Sequence, residues 1–337
     1  MTARLTEDDI RPADLFAAYL QLVALDVDAF FSDTDRRPMA CPACDNAGEP
    51  AFAKLGFEYR ECPDCHSLWV SPRPSFADFS AFYSQSASSK YWADVFSPAV
   101  MEVRRERLWR PKARRIAELA ATWGTPVSPF RSLVDIGGGT GVFAEEYAVI
   151  DDIEVVVVEP SPEAADACRR RGIAVVQGFL EDVNAEQLPA GPTVCTSFEL
   201  FEHVHDPMGW LTSLAELMSP GDLLVMTTLS GTGVDIRVLW DQSASVNPPH
   251  HINFLNPDAM RLIAERCGLE PLDVFTPGEL DIDILRNNAP LICDRFWSLV
   301  VGLDDDSRAR WQTLIAEAGS SSHMWAVMRK PFTVSPR

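Results

Sequence analysis

The chain has 337 residues, 47% of them hydrophobic, a formal net charge of −20 and a mean hydropathy of −0.04. That is apolar content for about two domains with cores of their own, while the acidic balance argues against a nucleic-acid backbone as principal partner, because phosphates would be repelled. No apolar run is long enough for a membrane span, and the polar opening MTARLTEDDI lacks the basic-then-apolar order of a secretory signal, so no membrane partner and a cytoplasmic location are expected.

Residues 1–37 hold a periodic apolar run, DLFAAYLQLVALDVDAFF, that predicts an amphipathic helix. Its apolar face suits either the core of the chain or a second subunit. Residues 38–75 then carry Cys41, Cys44, Cys62 and Cys65 in the spacing C-x2-C-x17-C-x2-C. Two such turns aim four thiolates at one ion, which predicts a structural zinc site with no open position for substrate. The segment FAKLGFEYREC between them alternates like a hairpin, so a small zinc ribbon is expected, with His66 a bystander. The other cysteines, Cys168, Cys195, Cys267 and Cys293, are scattered, which fits reduced thiols better than a disulfide framework.

Residues 76–102 read as a helix and a Ser-rich loop, a linker or lid. The stretch RRERLWRPKARR (104–115) has seven basic residues and one acid. It reads first as a solvated helix face and second as a clamp for an anionic substrate such as a diphosphate. From residue 103 to the end, strands and helices alternate, the pattern of a parallel sheet with helices on both faces. The predicted strands are SLVDIG, EVVVVEP, AVVQG, PTVCTSF and DLLVMTTL. After them come a histidine pair, a helix ending in C-G-L, a strand running toward an acidic DID loop, and a closing strand HMWAVMRKP.

The first of these strands runs into LVDIGGGTG (133–141). No Lys follows, as a P-loop requires, and the third glycine of a G-x-G-x-x-G dinucleotide loop would fall on Val142. The pattern that stands is D-x-G-x-G-x-G, through Asp135, Gly137, Gly139 and Gly141 with Gly138 in a variable place. It resembles motif I of the class I S-adenosylmethionine (SAM)-dependent methyltransferases. Further features extend the resemblance over roughly residues 103–331. Glu159 ends the second strand at the offset where an acid binds ribose hydroxyls. GFLEDV (178–183) looks like an adenine-lining loop, with Phe179 and Leu180 as apolar contacts and Glu181 or Asp182 as polar ones. SFELFEHVHDP (197–207) is similar to the family's active-site edge, Glu199 meeting the methionine part of the cofactor. SPGDLLVMTTLSG matches the family's turn and fifth strand, except that Asp222 stands where a second glycine is common.

The resemblance implies an α/β, Rossmann-like, seven-stranded sheet whose last strand is antiparallel, beside the zinc ribbon. It implies SAM as cofactor and a methyl group moved to a small-molecule acceptor, sugar-like or anionic. It also places His251 at the family's H-x-x-F position. A hydroxyl or acidic carbon as acceptor needs a base, and histidine suits that role; the candidates are His251, then His203, then His250. The equal alternative for His251 is a helix N-terminal histidine bonded to backbone. The ribbon is expected to cap the acceptor pocket with Tyr91, Trp92 and the basic segment beside it, and ribbon plus this core also resembles a bacterial group that includes nucleotide-sugar methyltransferases. Two other functions remain as alternatives: an RNA methyltransferase, disfavoured because residues 1–90 hold 8 Lys and Arg against 14 Asp and Glu, and a non-catalytic SAM-binding scaffold.

Overall fold

A computed structural model describes residues 5–124 and 129–332. Residues 1–4 of the first predicted segment, 125–128 and 333–337 lie outside the described residues. The strands in chain order are β1 (Arg36–Arg37), β2 (Glu49–Lys54), β3 (Phe57–Glu61), β4 (Leu68–Val70), β5 (Arg73–Pro74), β6 (Ser132–Ile136), β7 (Glu154–Glu159), β8 (Ala174–Gln177), β9 (Thr193–Phe198), β10 (Leu223–Leu229), β11 (Asn253–Phe254), β12 (Glu270–Phe275) and β13 (His323–Arg329). The chain packs into two compact units, one from the residues up to Arg104 with Leu229–Ala259 and Thr276–Met324, the other from Arg105–Thr228, Met260–Phe275 and the residues from Trp325 on.

The second, or sheet, unit is built on a seven-stranded sheet in the order β12-β13-β10-β9-β6-β7-β8. Pairings from β10 through β9, β6 and β7 to β8 are parallel, and β13 runs antiparallel to β12. Strands β6 and β9 are buried along their whole length, which is why they read as unbroken apolar runs rather than alternating ones. Leu133, Val157, Val194, Val225 and Val327 pack with Ile116, Phe143 and Tyr147 from the helices. This is the expected sheet, last strand antiparallel included. Asp222, at the position of the missing glycine, accepts Thr193 N–H at 2.8 Å and Ser219 N–H at 2.7 Å, so its carboxylate knits the turn.

In the ribbon unit, β2, β3 and β4 form an antiparallel sheet to which β11 adds as a fourth strand. The β2–β3 hairpin turns on Leu55 and Gly56, with φ of 47° and 72°, the double left-handed conformation that matches strand twist. The first long helix, Ala13–Phe31, covers this sheet, packing Tyr19, Val23, Val27 and Phe31 on Phe57, Tyr59, Leu68 and Val70.

Three local expectations are corrected. The Ser-rich stretch is helical, Ala87–Tyr91, because Ser86 caps it by accepting Ser89 N–H and buried Asp26 accepts Ser88 N–H at 2.7 Å. The acidic DID loop is the start of the helix Asp281–Asn287, with Asp281 buried and accepting from Ser321, Ser322 and Gln312. Residues 287–322, without predicted elements, hold two helices, Arg295–Val301 and Asp305–Glu317. Their sequence signals are Asp294 and Asp304, each an N-cap whose carboxylate accepts a backbone N–H three residues on.

Candidate functional site

In the sheet unit the strand order reverses beside β6: β7 and β8 lie on one side, β9 and β10 on the other. The carboxyl ends of β6 and β9 therefore open a crevice, the place where open α/β sheets bind ligands. The glycine loop leaves β6 there, and Leu200 follows β9. A Cβ on Gly137, where φ is 69°, would stand 2.7 Å from Leu200 Cδ2, so glycine lets the two loops meet. Gly139, with φ 56°, has open space where a Cβ would go, and its N–H donates to Glu159 Oε2 at 2.9 Å. Gly138 sits over Asp135, whose Oδ2 is 2.6 Å from a Cβ built there, and Gly141 precedes the helix Val142–Ala148.

Asp135 is buried beneath the loop, accepts Thr196 Oγ1–H at 2.8 Å, and is pushed up to about 7 by that burial. It shapes the loop from below. Glu159 accepts Ser161 N–H on its other oxygen at 2.9 Å, and burial raises its pKa. Each of its oxygens retains a lone pair for a hydroxyl of a diol. Phe179 is 43% exposed, whereas Leu180 is buried and Glu181 exposed. Of the adenine-loop candidates, Phe179 offers exposed apolar surface.

Glu199 leaves β9 at φ 49° and accepts Thr227 Oγ1–H at 2.6 Å. Three residues on, Glu202 is fully buried, accepts Thr228 Oγ1–H at 2.7 Å, and is pushed up to about 8 by burial and then by Glu199. His203 ends the same short turn, half-buried. The basic segment divides: Arg114 and Arg115 are exposed, as a solvated helix face would have them, while others are engaged. Arg105 pairs with Glu145 and Glu146, each at 2.7 Å, and Arg110 with Glu146 at 2.8 Å, while Lys112 is buried. These guanidiniums are engaged by the helix behind the glycine loop.

The ribbon unit holds the four cysteines together, their sulfurs within 4.8 Å of one another. Separations of 3.4 Å for Cys41–Cys65 and Cys44–Cys62 and 3.7 Å for Cys44–Cys65 are close to the edge of about 3.8 Å that a tetrahedron with 2.3 Å zinc–sulfur bonds requires. The two turns repeat one geometry. Asp45 N–H donates to Cys41 O and His66 N–H to Cys62 O, with positive φ at Asp45 and His66 in each. The donor set and its spacing fit zinc. Ser67 Oγ stands 3.2 Å from Cys65 Sγ, and Asn256 Nδ2 donates to Cys65 O at 2.6 Å.

The same unit frames the histidine pair. Tyr59 Oη donates to His251 O at 2.7 Å, Val70 N–H to Ile252 O at 3.0 Å, and buried Arg73 reaches Asn253 Oδ1 at 2.9 Å. His251 precedes β11, not a helix, and its half-buried ring has Nδ1 2.6 Å from Ser245 O. A carbonyl can only accept, so Nδ1 carries the proton and Nε2 keeps its lone pair. His250 is buried among Tyr19, Phe82 and Tyr83, and burial holds its pKa down at about 3. Sequence reasoning missed Lys112, which was read as one member of a charged run, and weighed Glu202 only as a neighbour of His203. None of the eight cysteines is paired in a disulfide, and among the described residues no helix is long and apolar enough to cross a membrane.

Comparison with known proteins agrees with this architecture. The family described as "Methyltransferase domain" matches residues 101–274, more than half of the chain. The mitochondrial ubiquinone biosynthesis O-methyltransferase of Schizosaccharomyces pombe is 34% identical over 108 residues, 30% of this chain and only 39% of that relative. The ubiquinone biosynthesis O-methyltransferase of Caulobacter sp. strain K31 is 31% identical over 228 residues, 62% of this chain and 78% of the relative. Among solved structures, a geranyl diphosphate C-methyltransferase from Streptomyces coelicolor A3(2) is 16% identical, with a TM-score of 0.46 over 68% of this chain and 84% of that one. With the seven-stranded order, the glycine loop at its switch point and the family match in hand, the chain belongs to the class I SAM-dependent methyltransferases.

Proposed function

We propose that this protein moves a methyl group from SAM to a hydroxyl of a small, sugar-like metabolite, with His251 as general base. The observation that carries the first half is the crevice at the reversal of strand order, where Gly139 leaves open space beside Glu159 and Glu199 follows the neighbouring strand. When bound there, SAM supplies a methyl group on a sulfonium, which is reactive without further activation. The residues of the crevice then bind and orient: Glu159 accepts the ribose hydroxyls, Phe179 covers the base, and Glu199 meets the charged methionine end. Alignment of this kind is worth about 7–11 kcal/mol in favourable intramolecular cases.

His251 supports the second half, because Ser245 O holds its Nδ1–H and so fixes the tautomer in which Nε2 is the acceptor nitrogen. A base so oriented contributes about 10²–10⁴-fold. Its place depends on the ribbon, which holds the His251 carbonyl through Tyr59. Zinc on the four cysteines is therefore proposed to act through scaffold alone, with the thiolates of Cys41, Cys44, Cys62 and Cys65 as ligands. The relatives named O-methyltransferases favour oxygen as the acceptor atom. With Arg105 and Arg110 paired to glutamates, the basic segment lends no support to a diphosphate clamp, and a neutral hydroxyl-bearing acceptor fits better.

The test is transfer of label from methyl-labelled SAM into a cell extract separated into small-molecule, RNA and protein pools, with His251→Asn alongside. Label in small molecules, entering at least about 10²-fold more slowly with the variant, is the expected result. Label in RNA, or none in any pool despite SAM binding, overturns it.

A further inference from the structure

The sheet unit contains a lysine that the proposed chemistry does not use. Lys112 is buried, its Nζ 4.4, 5.1 and 5.7 Å from the ring centres of Phe198, Trp109 and Trp325. Burial lowers its pKa, and Glu199, the nearby Asp135 and Glu202 and the three aromatic faces oppose this by favouring the ammonium. The Nζ donates to Thr227 Oγ1 at 3.1 Å, and that hydroxyl donates in turn to Glu199 Oε1, from which Nζ itself is 3.5 Å away. Lysine and threonine thus grip one oxygen of one carboxylate. The backbone is fixed at the same point, Glu199 N–H donating to Thr227 O at 2.9 Å.

Resting on the methyl-donor reading above, we infer that Lys112 is a positioning residue for Glu199: with Thr227 it holds Oε1 and so orients the carboxylate toward the ammonium of the methionine end of the donor. Charge around the pair makes a cation necessary. Asp135 on β6, Glu202 on the turn after β9 and Glu159 on β7 all act on this group of residues, and burial disfavours ionisation of each. The Lys112 ammonium stands 3.5 Å from Glu199, while burial and then the neighbouring Glu199 push Glu202 up to about 8. The lysine touches neither donor nor acceptor in this account and acts only through the glutamate.

Two consequences separate this role from packing. Replacing Lys112 by Met, which suits the aromatic walls, removes an opposite charge worth about 1–3 pKa units to a carboxylate, so SAM affinity should fall off on acidification at a pH about one unit higher. Because the effect passes through Glu199, it should vanish once that carboxylate is gone. The experiment is calorimetric titration of SAM into the full-length protein, the Lys112→Met and Glu199→Gln variants and the double variant, from pH 5 to 9, with thermal melts showing that each is folded. The expected result is about tenfold weaker binding in each single variant at pH 6.5, an upward-shifted acid limb in Lys112→Met alone, and a double variant no weaker than Glu199→Gln. Additive losses, or an unmoved acid limb, would overturn the role of Lys112 while SAM binding by the unmodified protein stands. Absence of SAM binding by that protein at every pH would remove the donor reading and this inference together. Should Lys112→Met fail to fold, Lys112→Gln, which keeps an N–H for Thr227 without the charge, decides the same question.

Discussion

The two units hold their functional residues by different means. In the sheet unit, Gly137, Gly139, Glu159 and Glu199 stand at the ends of parallel strands whose order alone creates the crevice. In the ribbon unit, the His251 segment leads into a two-residue strand added to the sheet beside the four clustered cysteines, and single side chains such as Tyr59 and Arg73 fix it. A site made by topology tolerates change in everything but its loop, whereas a site made by cross-links fails when any tie is cut.

The sharpest contrast comes from cutting the ribbon's strongest tie. Cys62→Ser, or zinc withdrawn by a strong chelator, should unfold the ribbon sheet and abolish methyl transfer, because structural zinc contributes on the order of 10 kcal/mol to such modules. SAM affinity should stay within about threefold, and one zinc per chain should be released on thiol titration. Loss of SAM binding as well would show that the units do not divide the work. Next in size is Gly137→Val. A β-branched residue at φ 69° whose Cβ would stand 2.7 Å from Leu200 costs about 1–2 kcal/mol in backbone strain plus the displacement of Leu200. Donor affinity should fall by more than about tenfold with zinc content unchanged.

His251→Asn comes third, lowering kcat by about 10²–10⁴ with unchanged donor affinity. Tyr59→Phe is smaller, near 1 kcal/mol in stability, with a drop in kcat several-fold weaker than that of His251→Asn. The last prediction, for Glu202, concerns stability rather than methyl transfer. Its folded pKa of about 8 lies above the unfolded value, so its contribution to stability is complete below about pH 4 and fades as pH rises to 8. Glu202→Gln, which mimics the protonated acid, should leave the melting temperature nearly unchanged at pH 5 and raise it relative to the unmodified protein at pH 9. A variant that is less stable at both values would contradict the protonated state.

The same contrast decides what could be read in the sequence. The glycine loop and the strand-end acids were legible because a left-handed turn and a strand terminus are local events, written within a few residues. The four cysteines were legible because metal geometry fixes their spacing. The frame around His251 was hidden, since Tyr59 lies 192 positions away and no local pattern announces that a strand after the fifth core strand joins the ribbon. Lys112 was hidden for a different reason. Charge runs look alike in sequence whether a lysine faces water or, as here, three aromatic rings and a glutamate. His250 and His251 were adjacent and indistinguishable as letters; burial among rings for one and a Ser245 carbonyl for the other separate them.

The central claim, methyl transfer from SAM with His251 as the proposed base, is tested most directly by one measurement: single-turnover methyl transfer and SAM affinity in His251→Asn, side by side with the unmodified protein on the acceptor identified by labelling. The account predicts unchanged affinity and transfer slowed by at least about 10²-fold. Equal transfer rates would contradict it.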